Sequence, residues 1–238
     1  MNLLALDTSS NACSVALQRD ERLFERYVVL AKEHTRLLVP MIEEVLFEAK
    51  ATPDELDAVV LGNGPGSFIG MRIAASVAQG FAYGADLGIV PVSSLAAIAA
   101  EAFHGTAVEY VTVAQDAHMN EVYLASFRRG EDELPVADGE TTLQPVARIE
   151  GMVVAGRERV HVAGAGWQRY PQLMQLNEDG IARVLDILHP RASFLLGAGA
   201  AAFRSGGMLP PDQLVPDYVR SKVASAAGPV EPSRDRKL

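Results

Sequence analysis

One cysteine, Cys13, in 238 residues rules out an intramolecular disulfide and any zinc cluster built on cysteines. Long apolar runs are also missing. The stretch from Ile69 to Tyr83 is shorter than the roughly 20 residues a bilayer demands and has Arg72 near its start, so no membrane partner is expected. The N-terminus lacks a basic segment leading into an apolar one, and the expected location is the cytoplasm. Lysine and arginine are scattered apart from Arg234, Arg236 and Lys237, and the net charge is −9. Nucleic-acid affinity comes largely from grouped basic side chains that neutralise phosphates. Any contact of this chain with nucleic acid is therefore expected to be indirect.

What remains is an ordinary core-forming composition, 49% hydrophobic and 21% charged, enough for one large domain or two small ones. Leu3 to Leu6 is a short apolar run that ends in Asp7-Thr8-Ser9-Ser10, and Cys13, Val15 and Leu17 then alternate at period two. After Asp20-Glu21 comes a third strand, Leu23 to Leu30, which completes an antiparallel meander. From Thr35 to Ala49 the apolar residues Leu38, Met41, Ile42, Val45, Leu46 and Ala49 recur at helical spacing, with Pro40 near the first turn. Strand Asp57 to Gly62, helix Phe68 to Tyr83 with Ser67 as its cap, strand Gly88 to Val92 and helix Ser94 to Phe103 follow. The order βββαβαβα requires a mixed sheet, because hairpins pair antiparallel and crossovers pair parallel. Beyond Gly105 the pattern restarts in reduced form, with strands Tyr110 to Ala114, Glu121 to Phe127 and Val160 to Ala163 and a helix from Ala192 to Arg204. The expected division is a first lobe over 1–105, a smaller second lobe over 106–220, and a disordered tail over 221–238.

Two motifs resemble known sequences. Leu4-Ala5-Leu6-Asp7-Thr8-Ser9-Ser10 with its following hairpin resembles the phosphate-facing hairpin of the actin, sugar-kinase and Hsp70 superfamily. Gly62-Asn63-Gly64-Pro65-Gly66-Ser67-Phe68-Ile69-Gly70-Met71-Arg72-Ile73 is similar to the Gly-Pro-Gly-Ser-Phe-Thr-Gly-Val-Arg-Ile signature of the TsaB (YeaZ-type) family. His34-Thr35-Arg36-Leu37-Leu38-Val39-Pro40-Met41, Val92-Ser93-Ser94-Leu95-Ala96-Ala97 and Tyr218-Val219-Arg220 extend the likeness along most of the chain. The resemblance implies a two-lobed α/β fold, actin-like and ribonuclease H-like. It also implies a non-catalytic subunit for N6-threonylcarbamoylation of adenosine 37 in tRNAs that read codons starting with adenine. The implied partners are the related catalytic subunit TsaD and the ATPase TsaE, with tRNA engaged only indirectly. One departure is Asp116-Ala117-His118-Met119-Asn120-Glu121, where the family has arginine in the place of His118.

The residues speak against independent chemistry. The catalytic relative has two metal-binding histidines four apart on its first helix, whereas here His34 is followed by Leu38. His104, His118, His161 and His189 have no i, i+4 histidine or companion carboxylate at ligand spacing, so no metal site is expected. Ser67 lacks the glycine two residues on that a nucleophile elbow has, and Cys13 reads as a buried hydrophobe. Asp7, Thr8, Ser9, Gly164 and Gly166 are candidates for a vestigial nucleotide site. The turn at Thr8-Ser9-Ser10 lacks the glycine that lets backbone approach phosphate. No cofactor is expected, and any ATP or ADP binding is expected to be weak or confined to the interface with the partner. The rival reading is a nucleotide-dependent enzyme acting alone, as a kinase, a transferase or a protease-like protein.

A partner surface is expected on the two first helices. On the second, Ile69, Ile73, Val77 and Phe81 form an apolar row beside a row of small residues, Gly70, Ala74, Ala78 and Ala82. A helix apolar or small nearly all round is covered on two sides, and small residues admit another helix at close range. The first helix adds Leu37, Val39 and Phe47 to its core stripe of Leu38, Met41 and Val45. The expected partner-binding set is Leu37, Leu38, Met41, Val45, Gly70, Ile73, Ala74, Val77, Ala78 and Phe81, and the isolated chain is expected to form a homodimer through it. The alternative is that the third helix of the same lobe covers the small row.

Overall fold

The computed structural model describes residues 1–149 and 159–219; the expectation for 221–238 lies outside them. Up to Phe103 the chain runs β1 (Leu3–Asp7), β2 (Ala12–Arg19), β3 (Arg22–Val29), α1 (His34–Ala49), β4 (Ala58–Gly62), α2 (Phe68–Gly84), β5 (Ile89–Val92) and α3 (Ser94–Phe103). This is the βββαβαβα order expected from periodicity. The strands form a five-stranded sheet in the order β3-β2-β1-β4-β5. The β1–β2 and β2–β3 pairs are antiparallel, and the β1–β4 and β4–β5 pairs are parallel.

Every residue of β1 and β4 is buried, as parallel central strands covered on both faces must be. Alternation assigns the faces. Leu4, Leu6, Val59 and Leu61 pack under α1 and α2, whereas Leu3, Ala5, Val60 and Val90 point to the opposite face.

The second half begins with β6 (Tyr110–Asp116), β7 (Glu121–Arg129), β8 (Pro135–Ala137) and β9 (Thr142–Pro145). It continues as β10 (Val160–Ala163), α4 (Ala165–Arg169), α5 (Pro171–Gln175), β11 (Ile181–Val184) and α6 (Leu196–Arg204). Its sheet has the order β11-β10-β6-β7-β8, with β9 also on β7. An antiparallel hairpin, β6–β7, is flanked by parallel β10 and β11, which repeats the first sheet's logic with shorter helices. The fold is therefore a two-lobed α/β structure of the expected actin-like, ribonuclease H-like kind.

Two features depart from a linear division at residue 105. Helix α3 is buried between the sheets. Ala97 faces the first sheet, and Leu95, Ile98, Ala99, Ala102 and Phe103 pack against Val111, Val113, Ala125 and Phe127 of the second. The chain then returns to the first sheet at its end. Leu195, Leu196 and Ala200 cover Leu3, Ala5, Val60 and Val90, Leu209 bridges Ile89, and Leu214 enters the core beneath α2. The rear face of the first sheet is apolar and has no helix from its own half except α3, so residues 192–204 supply the missing cover. Among the described residues no helix is long and apolar enough to cross a membrane.

Candidate partner face and interlobe cleft

Helix α2 starts at Ser67, whose hydroxyl accepts the Gly70 amide at 3.2 Å, so this serine is a helix cap. The orientation of α2 then follows from how closely it approaches β1. Thr8 donates its hydroxyl to the Gly70 carbonyl at 2.7 Å, and a methyl group on Gly70 would sit 2.0 Å from the Thr8 carbonyl oxygen. Gly70, Ala74, Ala78 and Ala82 are all buried, packed on β1, β4 and α1. The small row thus faces inward, which corrects its assignment to the partner: small residues let the helix sit close to its own sheet rather than to another chain. Helix α3 is not what covers it. Leu38, Met41 and Val45 of α1 are likewise buried in the core. Leu37, Ile73, Val77 and Phe81 lie half-buried at its rim.

What α2 does present outward is a different set. Ile69, Arg72, Ser76, Gly80 and Tyr83 are exposed, with Ile69 70% and Tyr83 84% accessible. Among the described residues a methyl group on Gly80 or Gly84 would meet nothing within 4 Å beyond the adjacent helix backbone. Residues 69, 73, 76, 80 and 83 alternate in steps of four and three, the spacing of a helix–helix seam. On α1, Phe47 is 87% exposed and Val39 46%. Sequence reasoning missed the Ile69–Ser76–Gly80–Tyr83 stripe, although its 4-3 spacing was there to be counted.

The nucleotide candidates are all committed internally. Asp7 is 1% exposed. One carboxylate oxygen accepts the Ser9 amide and hydroxyl, each at 2.8 Å, and the other accepts the Ser94 hydroxyl at 2.6 Å. The Asp7 carboxylate therefore joins the β1 turn to the start of α3. Ser9 also offers its carbonyl to the Ser67 amide at 2.6 Å. Gly164 has φ +102, and added methyls on Gly164 and Gly166 would lie 2.2 and 2.9 Å from the Ala114 carbonyl oxygen. Both glycines let the β10–α4 turn press against β6, which requires a missing side chain whether or not a nucleotide is present.

Burial drives the Asp7 carboxyl up to about 6 from an ordinary value of 3.8, against the opposing pull of the Ser94 and Ser9 hydrogen bonds. The folded state consequently holds this proton more tightly than the unfolded chain between about pH 4 and 6. Stability falls as pH rises through that window, by on the order of 3 kcal/mol in all, and levels off above it. An Asp7→Asn variant is expected to lose this component. Its urea midpoint should vary less between pH 4 and 6 than that of the parent, and an unchanged slope would show that another group is responsible.

The remaining candidates resolve similarly. Cys13 is fully buried in β2, its thiol pushed to about 12 by burial and secondarily by the Asp7 charge. His34 contacts the Ser10 carbonyl at 2.9 Å through Nε2, and His104 and His118 are exposed beside Glu133 and Asp116, each at 3.4 Å. Among the described residues no group of three or more His, Cys, Asp or Glu side chains is placed to hold a metal.

Between the lobes lie two adjoining cavities. The larger, about 400 Å³, has Ser9, Ser10, Gln115, Asp116, Arg169 and His189 in its wall. The smaller, about 120 Å³, lies at the first turn of α2. His118, Met119 and Asn120, at the tip of the β6–β7 hairpin, have φ of 61°, 56° and 58°. Three consecutive left-handed residues without glycine are uncommon; the turn closes through the His118 amide on Asp116 at 2.8 Å and the Glu121 amide on the His118 carbonyl at 3.0 Å.

The family model for TsaD, tRNA N6-adenosine threonylcarbamoyltransferase, matches residues 28–205. This places the two lobes in the class of actin-like α/β proteins to which that transferase belongs. Within the class, the tRNA threonylcarbamoyladenosine biosynthesis protein TsaB of Escherichia coli K12 is 36% identical over 228 residues, covering 94% of this chain and 96% of its own length. That of Haemophilus influenzae is 34% identical over 231 residues, with 94% and 95% covered. The solved structure of YeaZ from Pseudomonas aeruginosa superposes with a TM-score of 0.82 at 33% identity, over 91% of this chain and 99% of that one. The chain belongs to the TsaB family.

Proposed function

We propose that this protein is an accessory subunit of tRNA threonylcarbamoyladenosine synthesis that acts by docking onto a TsaD-type catalytic subunit through the outer face of α2, with Phe47 of α1 beside it. The observation that supports this most is the stripe of exposed Ile69, Ser76, Gly80 and Tyr83 with half-buried Ile73 among them, and open space in front of Gly80 and Gly84. Helices approach to 8–10 Å when the side chains between them are small, and the apolar residues at the ends of the stripe give such a contact its hydrophobic area. The same face serves a homodimer when the partner is absent. A TsaE-type ATPase joins the assembly, and tRNA is engaged through the catalytic subunit.

The subunit contributes no reacting group. Asp7, Thr8 and Ser9 spend their side chains on α2, α3 and the β1 turn, so any ATP or ADP binding is expected to be weak or confined to the partner interface. Binding only the active conformation of the partner raises that conformation's population by the difference in affinity. The test is to mix the purified chain with a TsaD-type protein, follow exchange of homodimer for heterodimer by size-exclusion chromatography, and measure tRNA threonylcarbamoylation with and without the chain. Failure to form a mixed complex, or full modification without this subunit, refutes the proposal. Tight ATP binding by the isolated chain would favour the stand-alone enzyme instead.

A further inference from the structure

The smaller cavity has a composition that the docking face leaves unexplained. Its volume is about 120 Å³ and its walls include Phe68, Met71, Met119, Tyr123 and Tyr218. Sites for whole small-molecule ligands run to roughly 300–1,000 Å³, so this one has room for a single side chain. Its polar wall holds two carboxylates, Asp116 and Asp217, together with Ser67 and the exposed His118 ring. Among the described residues Asp217 makes no ion pair or side-chain hydrogen bond; only its amide is engaged, with the Asn63 carbonyl at 3.1 Å. Asp116 uses one oxygen for the Tyr170 hydroxyl at 2.6 Å and the His118 amide at 2.8 Å. Its other oxygen has the exposed His118 ring at 3.4 Å.

The cation nearest the aromatic wall does not line the cavity. Arg72 lies 3.5 Å from the centroid of Phe68, and its Nε donates to the Tyr218 hydroxyl at 3.0 Å. It braces the Phe68–Tyr218 pair, whose centroids are 5.8 Å apart, without meeting either carboxylate. Methionines and aromatic faces suit the methylene stem of a long cationic side chain, and ring faces attract its head. Carboxylates beside them supply the counter-charge.

We propose that this cavity receives one lysine or arginine side chain from the subunit that packs along α2. The site rests on the partner-face reading above, with which it is continuous: Phe68 and Met71 alternate with Ile69 and Arg72 on the first turn of that helix. A helix lying on the stripe ends at the cavity mouth, where one basic side chain inserts and fixes the register of the complex. Specificity then divides in two, with close approach along α2 and a charge lock at its N-terminal end.

Two measurements on the full chain test this. Calorimetry against a TsaD-type partner should show Asp217→Asn binding several-fold more weakly with a flatter salt dependence, and Asp217→Lys roughly 30-fold more weakly. Asp217 is exposed, so both variants keep the fold. Gly80→Trp in the same assay reports on the stripe alone. If Asp217→Lys binds like the parent while Gly80→Trp fails to bind, the cavity proposal falls and the docking face stands; if both bind like the parent, the docking face itself is wrong. Separately, titration with n-butylguanidinium should move the methyl resonances of Met71 and Met119 in the parent and not in Asp217→Lys. Methyls that stay still in the parent at tens of millimolar overturn the proposed chemistry without reference to any partner.

Discussion

A Gly80→Trp variant is expected to fold normally and yet to lose the TsaD-type partner and tRNA threonylcarbamoylation together. Gly80 is exposed at the thirteenth position of the 17-residue α2, and among the described residues nothing beyond the adjacent helix backbone lies within 4 Å of a methyl placed there. Glycine costs a helix interior about 1 kcal/mol relative to alanine, so the substitution should leave stability unchanged or slightly raised. In the complex, however, an indole within the stripe separates helices whose contact depends on a bare backbone. Forced separation removes the packing on both sides, and the expected loss of affinity exceeds 100-fold, or about 3 kcal/mol. Co-purification and the modification assay read the loss, and urea denaturation reads the fold. Wild-type partner affinity in a folded Gly80→Trp protein would remove α2 from the interface.

Ala74→Arg is expected to behave in the opposite way and to abolish folding. Viewed as a row on a helical wheel, Gly70, Ala74, Ala78 and Ala82 offer themselves to a partner, and an arginine there should yield a folded monomer that no longer docks. The structure reverses that expectation. Ala74 and Ala78 have no accessible surface and sit in the cluster with Leu4, Leu6, Val59 and Leu61. An arginine at 74 must bury its guanidinium without a counter-charge or push α2 off the sheet, and breaks the Thr8–Gly70 approach in doing so. Effects of this class reach 4–5 kcal/mol or more, a large share of a domain's typical 5–15 kcal/mol. Soluble yield and the melting transition are the measurements. A folded Ala74→Arg protein of parental stability would mean that α2 is rotated about its axis from the orientation described.

The contrast marks where sequence reasoning stopped. Element order was legible because strands and helices have different periods, and the alternation in β1 and β4 even separates the two faces of the first sheet. The inward side of α2 was not legible. When alanine, glycine and isoleucine occur all round a helix, no hydrophobic stripe selects a side. The deciding contact, Thr8 with Gly70, joins residues 62 positions apart. Asp7 was hidden for a similar reason: at the end of a strand an aspartate reads as a ligand for phosphate or metal, and only the Ser94 hydroxyl, 87 residues away, reveals it as a brace between β1 and α3. The cavity escaped notice because its walls come from α2, the β6–β7 hairpin and the segment around Tyr218, which no local pattern connects.

The return of residues 192–204 to the rear of the first sheet bears on how the chain is made. Leu3, Ala5, Val60 and Val90 wait for Leu195, Leu196 and Ala200, and Leu214 reaches the α2 core later still. A ribosome thus releases the opening strands long before their last covering is synthesised. The nascent N-terminal half stays adhesive until then and completes its core only once residues 192–214 have emerged.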